Sequence, residues 1–160
     1  MMIFHIKFME GVLILKSCIR KEIEKLYKKY KTKDPKELCS YLDIKIIYEN
    51  LGSINGYFQS SCRIKIIHLN TNLEENFSRF VLAHELGHAI LHEKLNLMFL
   101  ETNTFDLKDK YERQANIFAA ELLLDDTLKN IYYESNCTVN EIACIEKVPV
   151  ELVKYKFNLT

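Results

Sequence analysis

The residues best suited to chemistry in this chain are His84, Glu85 and His88, in the run His84-Glu85-Leu86-Gly87-His88. On a helix, positions i and i+4 share a face, so two imidazoles four residues apart can both reach one metal ion. Glu85 is rotated about 100° further round the axis. From there it is badly placed to be a ligand and well placed to reach a water on the metal. A zinc ion brings the pKa of such a water towards about 7, where a neighbouring carboxylate can take its proton. The chemistry this predicts is attack of the water on a polarised amide carbonyl, with Glu85 passing the proton to the leaving amine. The competing reading is a pair of core histidines satisfied by local hydrogen bonds. The run sits in a stretch that is apolar almost all round, where two histidines and a glutamate are costly without partners. That weighs towards the metal. Gly87 would leave room beside the helix for another backbone.

A catalytic zinc site takes a third protein ligand and keeps one position open. Glu112 is the best candidate, opening the stretch Glu112-Arg113-Gln114-Ala115-Asn116-Ile117-Phe118-Ala119-Ala120. On a helix Glu112, Asn116, Ala119 and Leu123 share a face. Ala115, Ala119 and Ala120 are small enough to let this helix approach the first closely. Asn116, one turn beyond Glu112, is spaced to orient a ligand histidine. Spacing alone leaves Glu112 open between ligand and solvated first-turn carboxylate favoured by the helix dipole. An oxyanion also needs a hydrogen-bond donor. Tyr57, which follows a glycine on an expected strand, is the candidate, against the common alternative of an aromatic that only packs on a sheet. His92 lies about 12 Å from His84 along the axis at about 1.5 Å per residue, too far to complete one site easily. It reads as a helix C-terminal residue. His68, on an expected strand, is left unassigned.

These residues must be positioned by their surroundings, and the order of elements reads as α+β. Residues 17–30 form an amphipathic helix with Ile19, Ile23, Leu26 and Tyr30 on one face. Asp34-Pro35 starts a short helix over 35–42. Strands follow at 44–48, 57–60 and 63–70, with a hairpin around Ser60–Cys62; three in series predict a small antiparallel meander. Helices are expected over 76–93, 111–124 and 126–135. Thr138 with Glu141 makes a capping box for a helix to about residue 146, and Pro149 opens a last one to about 157. The pair over 138–158 has a helix-turn-helix look, but Lys154 and Lys156 are few for DNA recognition, so it reads as structural. Between the main helices, the apolar run at 95–100 suits a lid, a docking segment or ordinary core.

Composition sets the frame. A chain of 160 residues with 48% hydrophobic and 28% charged residues suits one domain with a core of its own. Residues 1–16 read as an N-terminal extension, with Met9 an alternative start, and 17–160 as a single domain. Twenty-two basic residues balance 22 acidic ones. Such neutrality gives no electrostatic reason to expect nucleic-acid or membrane-surface binding, and direct DNA binding is not expected. Five cysteines at irregular spacing fit free thiols in a reducing compartment, hence a cytoplasmic protein. No stretch has the ~18 apolar residues of a membrane helix.

The run Phe80 to His88, then Leu91-His92, then Glu112 to Ala120, resembles the ImmA/IrrE-type metallopeptidases. The strand Ile66-Ile67-His68-Leu69-Asn70 and the pair Gly56-Tyr57 fit the same family. The likeness covers roughly residues 15 to 157. It implies a zincin-type helical core packed with the sheet. It also implies a gluzincin-like site with one zinc per chain, held by His84, His88 and Glu112, with Glu85 as base. The implied partner is a protein substrate: an XRE-type helix-turn-helix repressor encoded beside the peptidase on a phage or other mobile element, whose cleavage switches that element on. The family helix often carries Glu-x-Glu before Ala-Asn; here the second acid is Gln114, which supports Glu112 as the ligand. The family helix often ends Leu-Met-Pro, where this chain has Leu123-Leu124-Asp125-Asp126. Two other classes remain beside the peptidase: a zinc-bearing binding or sensor module without catalysis, and a DNA-binding regulator. A module that only binds has no use for Glu85, and the balanced charge argues against the regulator.

Overall fold

The computed structural model describes residues 2–92, 105–135 and 137–159. The chain runs α1 (Met2–Tyr30), α2 (Pro35–Tyr41), β1 (Ile44–Glu49), β2 (Gly56–Ser61), β3 (Ile64–Asn70), α3 (Glu75–Leu91), α4 (Phe105–Leu123), α5 (Thr127–Glu134), α6 (Val139–Glu146) and α7 (Val150–Phe157). The class is α+β, as the element order predicts.

Local chemistry sets several boundaries. Asp34 caps α2, its side chain accepting from the Glu37 N–H at 2.9 Å, with Pro35 in the first turn. The Thr138 hydroxyl accepts from the Glu141 N–H, and the Glu141 carboxylate accepts from the Thr138 N–H, completing the capping box of α6. Lys147 and Asn158 close α6 and α7 in the left-handed conformation, at φ 54° and 60°. Two helices exceed expectation. The first continues from Met2 with no break at residue 16, and α4 begins at Phe105, ahead of residue 111. The apolar run at 95–100 lies outside the described residues.

The sheet is mixed, which corrects the expected antiparallel meander. Its order is β1-β3-β2, with β3 central. Strand β2 pairs antiparallel with β3 through the hairpin at Cys62-Arg63, both at positive φ. Strand β1 pairs with β3 in parallel, Ile44 opposite Lys65 and Glu49 opposite Asn70. The segment after β1 crosses the end of the sheet, so β2 emerges on the far side of β3. Asn70 holds that crossing: its side-chain amide donates to the carbonyls of Gly52 and Ile54, at 3.0 and 2.8 Å. Sequence spacing does not distinguish this path from a meander, because the decisive hydrogen bonds link residues 16 and 18 apart.

One sheet face presents Ile44, Phe58, Ile67 and Leu69 to the core beneath α3. Helices α3 and α4 meet at Gly87. A Cβ there would lie 3.2 Å from the Ala115 Cα and from the Phe118 side chain. Gly87, with buried Ala115, Ala119 and Ala120, lets the two helices approach closely. Helix α7 buries Leu152, Val153, Lys156 and Phe157. No helix among the described residues is long and apolar enough to cross a membrane.

Candidate metal centre

Helix α3 is buried over Val81–Ala83 and Glu85–Ala89, so the polar residues within it are fixed by what they face. The Nε2 atoms of His84 and His88 lie 3.1 Å apart. Glu112, on α4, completes the group: Oε2 is 3.3 Å from His84 Nε2 and Oε1 is 3.5 Å from His88 Nε2. One donor atom from each residue falls within 4.8 Å of the others. Two ring nitrogens and a carboxylate thus converge on one point. Such an arrangement lacks a positive centre unless a ring is protonated, and a divalent cation supplies one. Two nitrogens and one oxygen are the donor set of a zinc site with a position left open. The residues present fit the metal that the sequence implies.

Asn116 faces His84 from α4. Its Oδ1 lies 2.9 Å from His84 Nδ1, so Nδ1–H donates and Nε2 keeps the lone pair a metal needs. His88 Nδ1 is buried and makes no hydrogen bond within the described residues. Glu85 is buried but stays outside the convergent group. The backbone of Phe58, on the edge strand β2, favours the charged form of Glu85. Burial raises the Glu85 pKa above its ordinary value, against the opposing charges of His84 and His88, and Glu112 adds to the rise. A carboxyl shifted upward holds a proton more readily than an ordinary one. For His84, burial works against the charged ring. The Glu112 hydrogen bond and the charges of Glu85 and Glu112 outweigh it, so its pKa is raised. Glu112 itself is held well below the usual carboxylate range by hydrogen bonds from His84 and His88.

The structure therefore brings His84, His88, Glu112, Asn116 and Glu85 together. It does not bring Tyr57 to them. Tyr57 alternates with buried Phe58, so its side chain lies on the other sheet face. There it stacks on His68, ring centroids 4.4 Å apart, and His68 Nδ1 bonds the Glu49 carboxylate. His92 caps the C-terminal end of α3 as expected, but as a buried neutral ring. Burial, then the charge of His88, lowers its pKa to about 4, and Tyr111 packs edge-on at 4.7 Å. Sequence reasoning missed the part played by the Phe58 backbone, because a backbone group leaves no trace in residue type.

Residues 39–158 match the family of IrrE N-terminal-like domains, Peptidase M78. The chain belongs to this family. It is similar to the "Uncharacterized immunity region protein 2" of Bacillus phage phi105, 42% identical over 139 residues, 86% of this chain and 88% of that one. It is also similar to the "Metallopeptidase ImmA" of Bacillus subtilis strain 168, 35% identical over 144 residues, 88% and 84% of the two chains. Membership of the M78 family makes this a metallopeptidase-type protein and implies a metal; the convergent His84, His88 and Glu112 are where its described residues could hold one.

Proposed function

We propose that this M78 protein is a zinc-dependent endopeptidase that cleaves a helix-turn-helix repressor of a phage or other mobile element. The observation that carries the reading is the division of labour at the site. His84, His88 and Glu112 converge as ligands, while Glu85 stands beside them, buried and outside the convergent group. A zinc ion held there would supply Lewis acidity, polarising a peptide carbonyl and acidifying a water. Glu85 accepts that water's proton at its carboxylate and delivers it to the departing amine nitrogen. Asn116 holds His84 in the ligand tautomer. The repressor substrate is what the family resemblance implies, and relatives named as a phage immunity region protein and a metallopeptidase are consistent with it. The free thiols fit work in the cytoplasm.

The test is metal content beside turnover. Wild type and Glu85→Gln should each carry one zinc per chain, and Glu112→Ala should carry little. Co-expression with the repressor encoded next to the gene should give cleavage with wild type only, Glu85→Gln losing about 10²–10⁴-fold in rate. Zinc retained undiminished in Glu112→Ala would overturn the ligand set. Cleavage by Glu85→Gln at the wild-type rate would overturn the base.

A further inference from the structure

The balanced charge of the whole chain conceals an uneven surface. Between residues 16 and 36 there are nine basic residues and three acidic ones, so the remainder of this neutral chain is net negative. Lys16 is buried and Arg20 half-buried, but Lys21, Lys25, Lys28, Lys29, Lys31, Lys33 and Lys36 are all exposed. They are ordered by the helix. Ile19 and Ile23 are buried in the core, with Leu26 and Tyr30 packed against it, so that face of α1 is spent. Lys21, Lys25 and Lys28, at i, i+4 and i+7, line the opposite face, with Lys29 beside them. Lys31 follows at the helix end at φ 60°, and Lys33 and Lys36 continue the line to α2. The acids within the stretch are Glu22, which pairs with Lys25 at 2.6 Å, Glu24 and Asp34.

We propose that this lysine face of α1 binds the phosphate backbone of duplex DNA without reading its sequence. Three observations select that occupant. The exposed cations are all lysines, compact point charges suited to phosphate, whereas protein–protein interfaces are depleted in Lys and enriched in Arg. Over residues 16–30, the part of α1 that carries the lysines, Ile19 and Ile23 are buried and Tyr27 is the only exposed large apolar side chain, so this face has little apolar surface to insert into a lipid interface. From Lys21 to Lys31 the face spans about 15 Å at about 1.5 Å per residue. That matches about four phosphates of one strand at about 3.4 Å each. The consequence is placement: a chain acting on a DNA-bound protein would be held on the polymer its substrate occupies. The binding itself does not depend on the peptidase reading.

The test is anisotropy of a labelled duplex of about 30 base pairs and arbitrary sequence, titrated with the full chain across salt concentrations. We expect a log–log salt slope of about −3 to −4, which is about 100-fold weaker binding at about 200 mM than at about 50 mM salt. The variant Lys21→Glu/Lys25→Glu/Lys28→Glu should bind at least about tenfold more weakly. The variant Lys45→Glu/Lys108→Glu/Lys147→Glu, with the same change in net charge, should bind nearly as wild type. Circular dichroism confirms that each is folded. No binding by wild type at about 50 mM salt overturns the proposal, and so does equal loss in both variants. Displacement by poly-glutamate at lower charge concentration than by unlabelled duplex would assign the face to an acidic protein instead. Tighter binding to phosphatidylserine vesicles than to duplex would assign it to a membrane. Either result overturns the DNA reading.

Discussion

At one end of α4, Glu112 faces two imidazoles; nine residues on, Glu121 faces three cations. The second cluster is closed. Lys16, Arg20 and Lys156 approach the Glu121 carboxylate at 3.1, 2.7 and 2.9 Å. Asp126 accepts from Arg20 and Lys156 as well, at 2.5 and 2.8 Å. Lys16 also donates to the Tyr155 and Lys156 carbonyls and to the Asn158 side chain, satisfying the end of α7. Three helices are joined there by ion pairs among these groups, with Glu121 Oε1 paired to Lys16 by charge rather than by a hydrogen bond. At the Glu112 end two imidazole nitrogens and a carboxylate instead converge on a common centre, and Glu112 keeps 41% of its side chain exposed against 3% for Glu121. The contrast teaches a criterion. A buried charge cluster that closes on its own partners serves the fold; one that still needs a cation serves a ligand.

The largest effect that would break this contrast is at Glu121. Glu121→Ala leaves Lys16 and Lys156 buried without their shared counter-charge, and breaking a buried pair in this way costs about 3–5 kcal/mol. Denaturant unfolding of the metal-free protein should show that loss. Zinc affinity per folded chain should stay within about twofold, since α4 keeps its contact with α3 through Gly87. A large loss of affinity together with stability would mean that the two ends act as one unit, and the criterion would fail.

The two ends also differ in how far the sequence discloses them. His84, Glu85 and His88 are local, and helical periodicity alone puts both imidazoles on one face. Glu112 and Asn116 show as a second periodic pair, ambiguous until α4 is laid across Gly87. The closed cluster was invisible: Lys16 and Lys156 lie 140 residues apart along the chain, and nothing in either neighbourhood marks a buried ammonium. The same holds for the sheet. Strand existence is written in alternation, but the parallel pairing of β1 with β3 depends on Asn70 catching a distant loop. Tyr57 was singled out by its glycine neighbour, whereas the alternation at Phe58 decides which face it takes. Capping of α2 and α6 is fully legible because the partners of each motif lie three residues apart.

A smaller effect sharpens the ligand side. Asn116→Leu removes the acceptor that fixes His84 Nδ1–H, and loss of such an outer partner costs about 10–100-fold in metal affinity. Asn116→Asp keeps an acceptor oxygen and should recover most of it. Competition with a chromophoric chelator measures both. Affinity equal to wild type in Asn116→Leu would remove Asn116 from the site.

The smallest effect is a pH dependence that belongs to the closed cluster. Burial opposes the Glu121 charge, but Lys156, Lys16 and Arg20 outweigh it and hold its pKa below the ordinary 4.5. A depressed carboxyl contributes stability above its unfolded pKa, and that contribution is lost as pH falls through the folded value. The loss therefore begins near pH 4.5 and grows below it. Burial lowers the Lys16 pKa beneath 10.5 despite Glu121. A lowered cation gives the opposite limb: the unfolded state binds more protons between the folded value and 10.5, so this group adds no loss on the alkaline side. Stability of the metal-free protein, followed by urea unfolding from neutral pH downward, should fall more steeply below about pH 4.5 in wild type than in Glu121→Gln. Identical acid limbs in the two proteins would mean that Glu121 titrates alike folded and unfolded, and the cluster would not be closed in solution.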